Sequence, residues 1–545
     1  MGYDVDDNNN NNYNHLPLHV KPVGRINYAA LEGLPVLDPA THQNWLRAKR
    51  YLVDVHVYDR VPRRQPHQIQ PSRMSHEHVQ KMVDFNVLKP IAPEDVRAGM
   101  RLFTVREKIG TPDERLRPIR WTRDINDVVT KEELVQLRYP TKLEICEFVH
   151  SGEYAVAFDM AAFFDQFEVH PDIAALQCTR VGNQYFAATT NPMGARSACA
   201  CAQTCMDILR SFQTSCRSAS IVDGVIFIAS SRDEVVAAGR EFVARCRAIG
   251  ATLNETKPVE ELVAQQLDWG GVSLDFVAKT TRLMGKTVRK IEYSWGERQA
   301  WTWRRFFGHI GLLFWAVGIL DFDMSQNFNV LRFISAASRR LQERPDEWDS
   351  PALVWPSVMR ELDRWTREAL ANAPRAALNS NRRDYDWIVA TDASSWGYGY
   401  TAWSPCSGEV RVFGEPWSAS MRHAHGSKLG RSTFSEPTAV VNAMCRLLPG
   451  AFAGRVLVLT DNTVTRYSFA RGWNAHSYDI NECLRRLRAA FPSARFAFEY
   501  IQGEINPADA ASRGRQEDVQ RDIVEQVLRR WHSAQQSGLS SGATT

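Results

Sequence analysis

Ser220-Ile221-Val222-Asp223-Gly224-Val225-Ile226-Phe227-Ile228 is two apolar runs around an Asp-Gly pair. β-Branched and aromatic flanks with Asp-Gly between them predict a hairpin with a two-residue turn. Its tip carries one carboxylate. Upstream, Tyr154-Ala155-Val156-Ala157-Phe158-Asp159 reads as a strand ending in another. Two Asp delivered from neighbouring strand ends could hold divalent cations. Phosphoryl transfer uses two metals roughly 3.5–4 Å apart, one for the attacking oxygen and one for the leaving oxygen. Mg²⁺ prefers such oxygen ligands. An ordinary hairpin beside a strand-end Asp would produce the same two segments.

Four more acids recur with a different rhythm. Thr391-Asp392-Ala393-Ser394-Ser395-Trp396-Gly397-Tyr398-Gly399 sets an Asp on a strand before a Gly-rich turn. Ser435-Glu436-Pro437 reads as a helix start with the acid in its first turn, where Pro is tolerated. Val456-Leu457-Val458-Leu459-Thr460-Asp461-Asn462 is a buried strand ending in Asp. Asn506-Pro507-Ala508-Asp509-Ala510-Ala511-Ser512-Arg513 opens a last helix. Strand, helix, strand and helix thus contribute Asp, Glu, Asp and Asp. Four unrelated surface acids are the alternative.

The 545 residues are 44% hydrophobic and 23% charged, ordinary for a globular protein of several domains. The net charge is +4. Arg far outnumbers Lys, which suits bidentate phosphate contacts or reflects a coding bias. Ten Cys are scattered without a Cys-x-x-Cys pair. Cys199, Cys201 and Cys205 read as small buried helix residues in a reducing compartment. The N-terminus is polar and acidic, so no secretory signal is expected there. Ile310–Leu320 is too short to span a bilayer. Residues 1–14, with the Asn8–Asn12 run, read as a disordered tail, and Arg60–Arg73 as a linker. Ser231-Arg232-Asp233-Glu234 is a capping box. It opens a helix with Val235, Ala238, Phe242 and Cys246 on one face and Gly250 as its stop. Residues 277–384 show helical periodicity and no strand signal. There, Arg304-Arg305-Phe306-Phe307-Gly308-His309 can grip phosphates, form a core helix with an exposed Arg rim, or do both. The end from Gly538 is Ser/Gly-rich and loose.

Around Asp159 and Asp223, ordered short motifs resemble the reverse transcriptase family over roughly 200 residues. Leu102-Phe103-Thr104-Val105-Arg106-Glu107-Lys108 resembles the fingers strand. Arg117-Pro118-Ile119-Arg120-Trp121-Thr122-Arg123-Asp124-Ile125-Asn126 resembles its basic segment, and Tyr139-Pro140 the dipeptide before the palm. Asn191-Pro192-Met193-Gly194-Ala195-Arg196-Ser197 resembles the loop meeting nucleotide and template. Leu253-Asn254-Glu255-Thr256-Lys257 and Leu267-Asp268-Trp269-Gly270-Gly271 resemble the leaving-group and primer-grip segments. The resemblance implies that Asp159, the carbonyl of Met160 and Asp223 bind the polymerase metals. It implies Lys257 as general acid, Phe164 as steric gate, and Arg120, Met193 and Gly194 at the substrate. The departure is Gly224, which stands where the family carries a second Asp. One ligand charge is lost, and weaker metal binding is expected.

The later set resembles the RNase H fold, and Asn-Pro-Ala-Asp-x-x-Ser-Arg resembles retroelement RNase H domains. This implies that Asp392, Glu436, Asp461 and Asp509 hold two Mg²⁺ or Mn²⁺ and cut RNA in a hybrid, with His476 either assisting or merely solvated. The expected fold is α+β multidomain: right-hand polymerase fingers, palm and thumb, then an RNase H-like α/β domain. The expected boundaries are 1–60 (tail and extension, partly disordered), 61–276 (fingers and palm), 277–384 (helical thumb and connection), 385–515 (RNase H-like) and 516–545 (C-terminal helix and tail). The implied protein is a DIRS-type or gypsy-type retroelement reverse transcriptase/ribonuclease H. Two metals per site, an RNA template, a DNA primer, an RNA·DNA hybrid and dNTPs follow, with other retroelement proteins as possible partners. No membrane is involved; a cytoplasmic or nuclear, unsecreted protein is expected. The alternative is a polymerase-degenerate nucleic-acid-binding protein that keeps only RNase H activity or a scaffold role.

Overall fold

A computed structural model describes residues 15–108, 114–377 and 384–536, with side chains to 533. The expected tails, 1–14 and from Gly538, lie outside the described residues. The chain is α+β and divides into two compact units. The first is Met1–Met284 with Pro374–Leu378; the second is Gly285–Ala373 with Asn379–Thr545.

The first unit contains β1 (Leu88–Ile91), β2 (Arg101–Glu107), β3 (Arg115–Trp121), β4 (Tyr154–Asp159), β5 (Cys178–Val181), β6 (Gln184–Ala188), β7 (Arg217–Ile221) and β8 (Gly224–Ala229). After them come β9 (Gln266–Trp269), β10 (Val272–Asp275), β11 (Thr280–Leu283) and β12 (Arg375–Ala376). β2 and β3 form a ribbon, β1-β6-β5 a small sheet, β4-β8-β7 the acid-bearing sheet, and β12-β11-β10-β9 a fourth. β8 is apolar on both faces, and Val225, Ile226 and Phe227 are fully buried. It is therefore the centre strand, sealed on one side by the Arg232–Ala248 helix. That helix has the expected capping box, and Val235, Ala238, Phe242 and Cys246 are buried along it. Phe242 stacks on Phe158 at 5.3 Å, tying the helix to β4. Gly250 ends it at φ +75°.

β11 and β12 lie within 277–384, where the sequence carries no strand signal. Each is too short to show alternation: β11 has four residues and β12 two. Helix Ala198–Leu209 buries Cys201 and Cys205 but leaves Cys199 exposed, so only two of that trio are core residues.

The second unit begins with helices Gly285–Gly296, Trp303–Leu320, Phe328–Glu343 and Pro356–Ala371. In the second of these, Trp303, Phe306 and His309 are buried. Arg304 pairs with Asp349 through both carboxylate oxygens, 2.8 and 3.0 Å. The Arg304–His309 stretch is therefore a core helix with an Arg rim. Among the described residues, no helix is long and apolar enough to cross a membrane.

The rest of the unit is a five-stranded sheet: β13 (Trp387–Ala393), β14 (Gly397–Trp403), β15 (Val410–Pro416), β16 (Arg455–Thr460) and β17 (Arg495–Tyr500). The order is β15-β14-β13-β16-β17. β13, β14 and β15 run antiparallel, whereas β13, β16 and β17 are parallel. The continuous buried run Val456–Leu459 is what a doubly covered parallel strand requires. This is the RNase H-like α/β unit that the four-acid rhythm anticipates.

Candidate active sites

The first site forms where β4 ends. Asp159 pairs with Gly224 across the ladder, and Ile221 pairs with Gly224 across the turn. The central turn residues are therefore Val222 and Asp223, not the expected Asp-Gly pair. Val222 takes the left-handed strain at φ +55°, while Gly224 has ordinary strand geometry. A β-branched residue there is a genuine outlier. Gln203 compensates locally: its Oε1 accepts from the Val222 N–H at 2.7 Å, and its Nε2 donates to Ser220 Oγ at 2.8 Å. The Met160 N–H donates to the Asp223 carbonyl at 2.9 Å, extending the ladder to the tip.

Two neighbours orient Asp159. Asn254 Nδ2 donates to Asp159 Oδ2 at 2.9 Å, and the Asp159 N–H donates to Glu255 Oε2 at 3.0 Å. Lys257 is exposed two residues beyond Glu255. A Cβ on Gly224 would stand 3.5 Å from Trp269 Nε1 and 3.9 Å from Asp159 Oδ1. These are ordinary contacts, so a side chain fits there.

Of the expected substrate residues, Phe164 is half-buried on a short 3-10 turn and packs against the unit's core. Arg120 is 4% exposed; it pairs with Asp165 and donates to Thr190 Oγ1 at 2.7 Å. It braces the loop before Met193. Met193 is half-buried, and Gly194 is there because its Cβ would sit 2.5 Å from the Arg120 carbonyl. Asn126 Nδ2 donates to the Gly194 carbonyl at 2.8 Å, locking that approach.

The second site forms at the carboxyl ends of β13 and β16, which parallel pairing puts at one edge of the sheet. Asp392 is the penultimate residue of β13, and Asp461 follows β16. Glu436 comes from helix Ser432–Leu447. This helix starts earlier than expected, so Glu436 and Pro437 lie in its second turn, and Pro437 is internal. Each of Asp392, Glu436 and Asp461 offers a carboxylate oxygen within 4.8 Å of the others. Asp392 and Glu436 are each 5% exposed. The Ala393 N–H donates to Glu436 Oε1 at 3.3 Å, while Oε2 is buried with no hydrogen-bond partner.

Asp509 starts a four-residue helix, Asp509–Ser512, and ion-pairs with Arg513 at 2.8 Å. Asn506 Nδ2 donates to the Thr391 carbonyl at 3.1 Å, and Ser512 Oγ donates to Asp392 Oδ2. These bonds dock the short helix beside β13. The docking needs Gly399, whose Cβ would sit 2.4 Å from the Ser512 nitrogen. His476 is exposed on the turn before helix Tyr478–Ala490.

Electrostatics follow from the crowding. Burial and the Asp392 and Asp461 charges push Glu436 up to about 9. Burial, and more weakly Asp461 and Asp509, push Asp392 up to about 6 against the Ser512 hydrogen bond. Burial raises Asp461 as well. An orphaned buried carboxylate oxygen among all-oxygen donors is the set a hard divalent cation satisfies. Asp392, Glu436 and Asp461 fit such an ion, with Asp509 at the rim.

No protein-family model matches this chain, and no curated protein matches it. Solved structures are similar to it. The foamy viral protease-reverse transcriptase with double-stranded DNA is 12% identical, with 89% of this chain and 99% of that chain covered at a TM-score of 0.44. A second complex of that protein with double-stranded DNA, its dRH form, has 12% identity, 88% and 83% coverage, and a TM-score of 0.43. Its complex with an RNA/DNA hybrid has 12% identity, 88% and 64% coverage, and a TM-score of 0.43.

Several residues take site roles that the sequence reading did not give them, although Asn254, Glu255, Ser512 and Arg513 lie inside quoted motifs. Gln203 is a lone amide in the small-residue helix Ala198–Leu209, and that isolation is the clue to its role. Asn254 and Glu255 precede the Lys that draws the eye. Ser512 and Arg513 each engage an acid through spacing that only the folded helix makes meaningful.

Proposed function

We propose that the second unit is a two-metal ribonuclease acting on the RNA of RNA·DNA hybrids. The observation that carries this is the Asp392–Glu436–Asp461 cluster, with a buried carboxylate oxygen left without a partner. Mg²⁺ or Mn²⁺, when bound, would supply a water deprotonated near neutral pH and charge for the leaving oxygen. The chain's own part is positional. Ser512 orients Asp392, the Ala393 N–H orients Glu436, and Arg513 holds Asp509 at the rim. Burial excludes bulk water from Asp392 and Glu436. Asp392→Asn is expected to abolish hybrid cleavage; undiminished cleavage would overturn the reading.

For the first unit we propose templated DNA synthesis in the manner of a retroelement reverse transcriptase. Asp159, the Met160 carbonyl and Asp223 would hold metal, and Lys257 would serve the leaving group. The apposition of Asp159 with the hairpin tip supports this. Gly224 favours a second reading, a palm that binds primer and template while the nuclease alone is active.

A further inference from the structure

We propose that helix Ala419–Leu429 grips the phosphate backbone of an RNA·DNA hybrid lying at the second unit's carboxylates. This rests on the nuclease reading and adds a surface to it. From Pro416 to Ser435 the chain carries Arg422, Lys428 and Arg431 with His423 and His425, and no acid at all. Four carboxylates repel a polyanion, so a substrate seated there needs cations close by. This stretch sits beside them and leads directly into Glu436.

The helix is anchored on the shoulder of the site. Trp417, which precedes it, donates from Nε1 to the Ser394 carbonyl at 2.9 Å and from its N–H to the Trp396 carbonyl at 3.1 Å. Ser394 lies two residues beyond Asp392. Ser418 caps the helix, and Arg422 Nε donates to the Trp417 carbonyl at 2.8 Å. Leu429 and Met421 pack with Trp417, Tyr398, Phe434 and Ala393. At the far end Lys428 pairs with Asp479 at 2.9 Å. The backbone bends at His425, whose ring lies 5.1 Å from Phe434. Held at both ends, the segment leaves Arg422, His423 and Arg431 exposed. Fixed, exposed cations are what a nucleic-acid backbone meets on its binding proteins.

The test measures binding of a fluorescein-labelled RNA·DNA hybrid to the full chain in EDTA across a KCl series. Arg422→Gln/His423→Gln/Arg431→Gln should make the slope of log K against log salt shallower by about two, one for each lost arginine contact. Arg422→Lys/Arg431→Lys should keep the wild-type slope. The inference is overturned by an unchanged slope in the Gln variant, by a Lys variant that loses as much as the Gln variant, or by no hybrid binding in the wild type. Cleavage in Mg²⁺ separates the two claims. Cleavage with a slope indifferent to these residues leaves the nuclease and removes the grip. A slope that depends on them, without cleavage, leaves the grip and removes the nuclease.

Discussion

At Gly224 the decisive fact is room. The ladder needs no glycine there: φ is not positive, and an added Cβ meets only ordinary contacts. The absent carboxylate is therefore a chemical difference rather than a steric requirement. Gly224→Asp would put its Cβ 3.9 Å from Asp159 Oδ1 and rebuild a third ligand charge. Primer extension on an RNA template in Mg²⁺ is expected to be weak in the wild type and at least about tenfold faster in this variant, the scale of about 1.4 kcal/mol in the barrier. No wild-type extension with extension restored by Gly224→Asp would leave the nuclease-only reading. Gln203 poses a separate question, because its amide holds the strained Val222. Gln203→Ala strands the Val222 N–H and leaves Ser220 Oγ only its bond to Asp207 Oδ1 at 3.3 Å, and should cost about 1–3 kcal/mol in urea unfolding. A loss under about 0.5 kcal/mol would show that the turn needs no such brace.

At the scale of elements, long periodic segments were legible and short ones were not. The Arg232–Ala248 helix, β4, β8, β13 and β16 follow from apolar runs with caps, and five of the six proposed catalytic acids sit at or just beyond element ends. The hairpin tip lies one residue earlier than the Asp-Gly pair predicts. Asp-Gly propensity favours a turn centred there, but the Asp159–Gly224 register and Gln203 fix it one position earlier. β11 and β12 were invisible because so few residues show no period. The helical region supplies its own test in His309. It is fully buried between Ser294 Oγ at 3.2 Å and Thr366 Oγ1 at 3.0 Å, and its ring lies 5.0 Å from Trp301. Burial lowers it to about 4, whereas the unfolded chain protonates it near 6.5. The folded state thus binds the proton less readily. Its contribution is complete above pH 6.5 and is lost as pH falls through 4, worth up to about 3 kcal/mol. His309→Phe should flatten the acid side of the stability curve between those values. An acid slope equal to that of the wild type would overturn this.

For the whole molecule, the two acid sites differ in charge count, and that difference should be visible in how each unit melts. In the second unit, Glu436 at about 9 and Asp392 at about 6 hold protons that the unfolded chain releases near 4 to 4.5. Stability in the metal-free state is therefore complete below about pH 4 and declines as pH rises towards 9. A divalent cation takes the place of those protons, so its apparent affinity should rise over the same range. The first unit offers Asp159 and Asp223 without a second carboxylate on the hairpin, so it should bind metal more weakly. Calorimetry of the full chain should resolve two transitions, one of which moves up with Mg²⁺ far more at pH 8 than at pH 6. At a hundredfold excess over the dissociation constant the gain is about 2.7 kcal/mol. Asp392→Asn should remove the response of that transition alone. Gly224→Asp should enlarge the weaker response of the other transition. A Mg²⁺ shift that is indifferent to pH, or that survives Asp392→Asn, would mean the buried acids are not the metal's ligands.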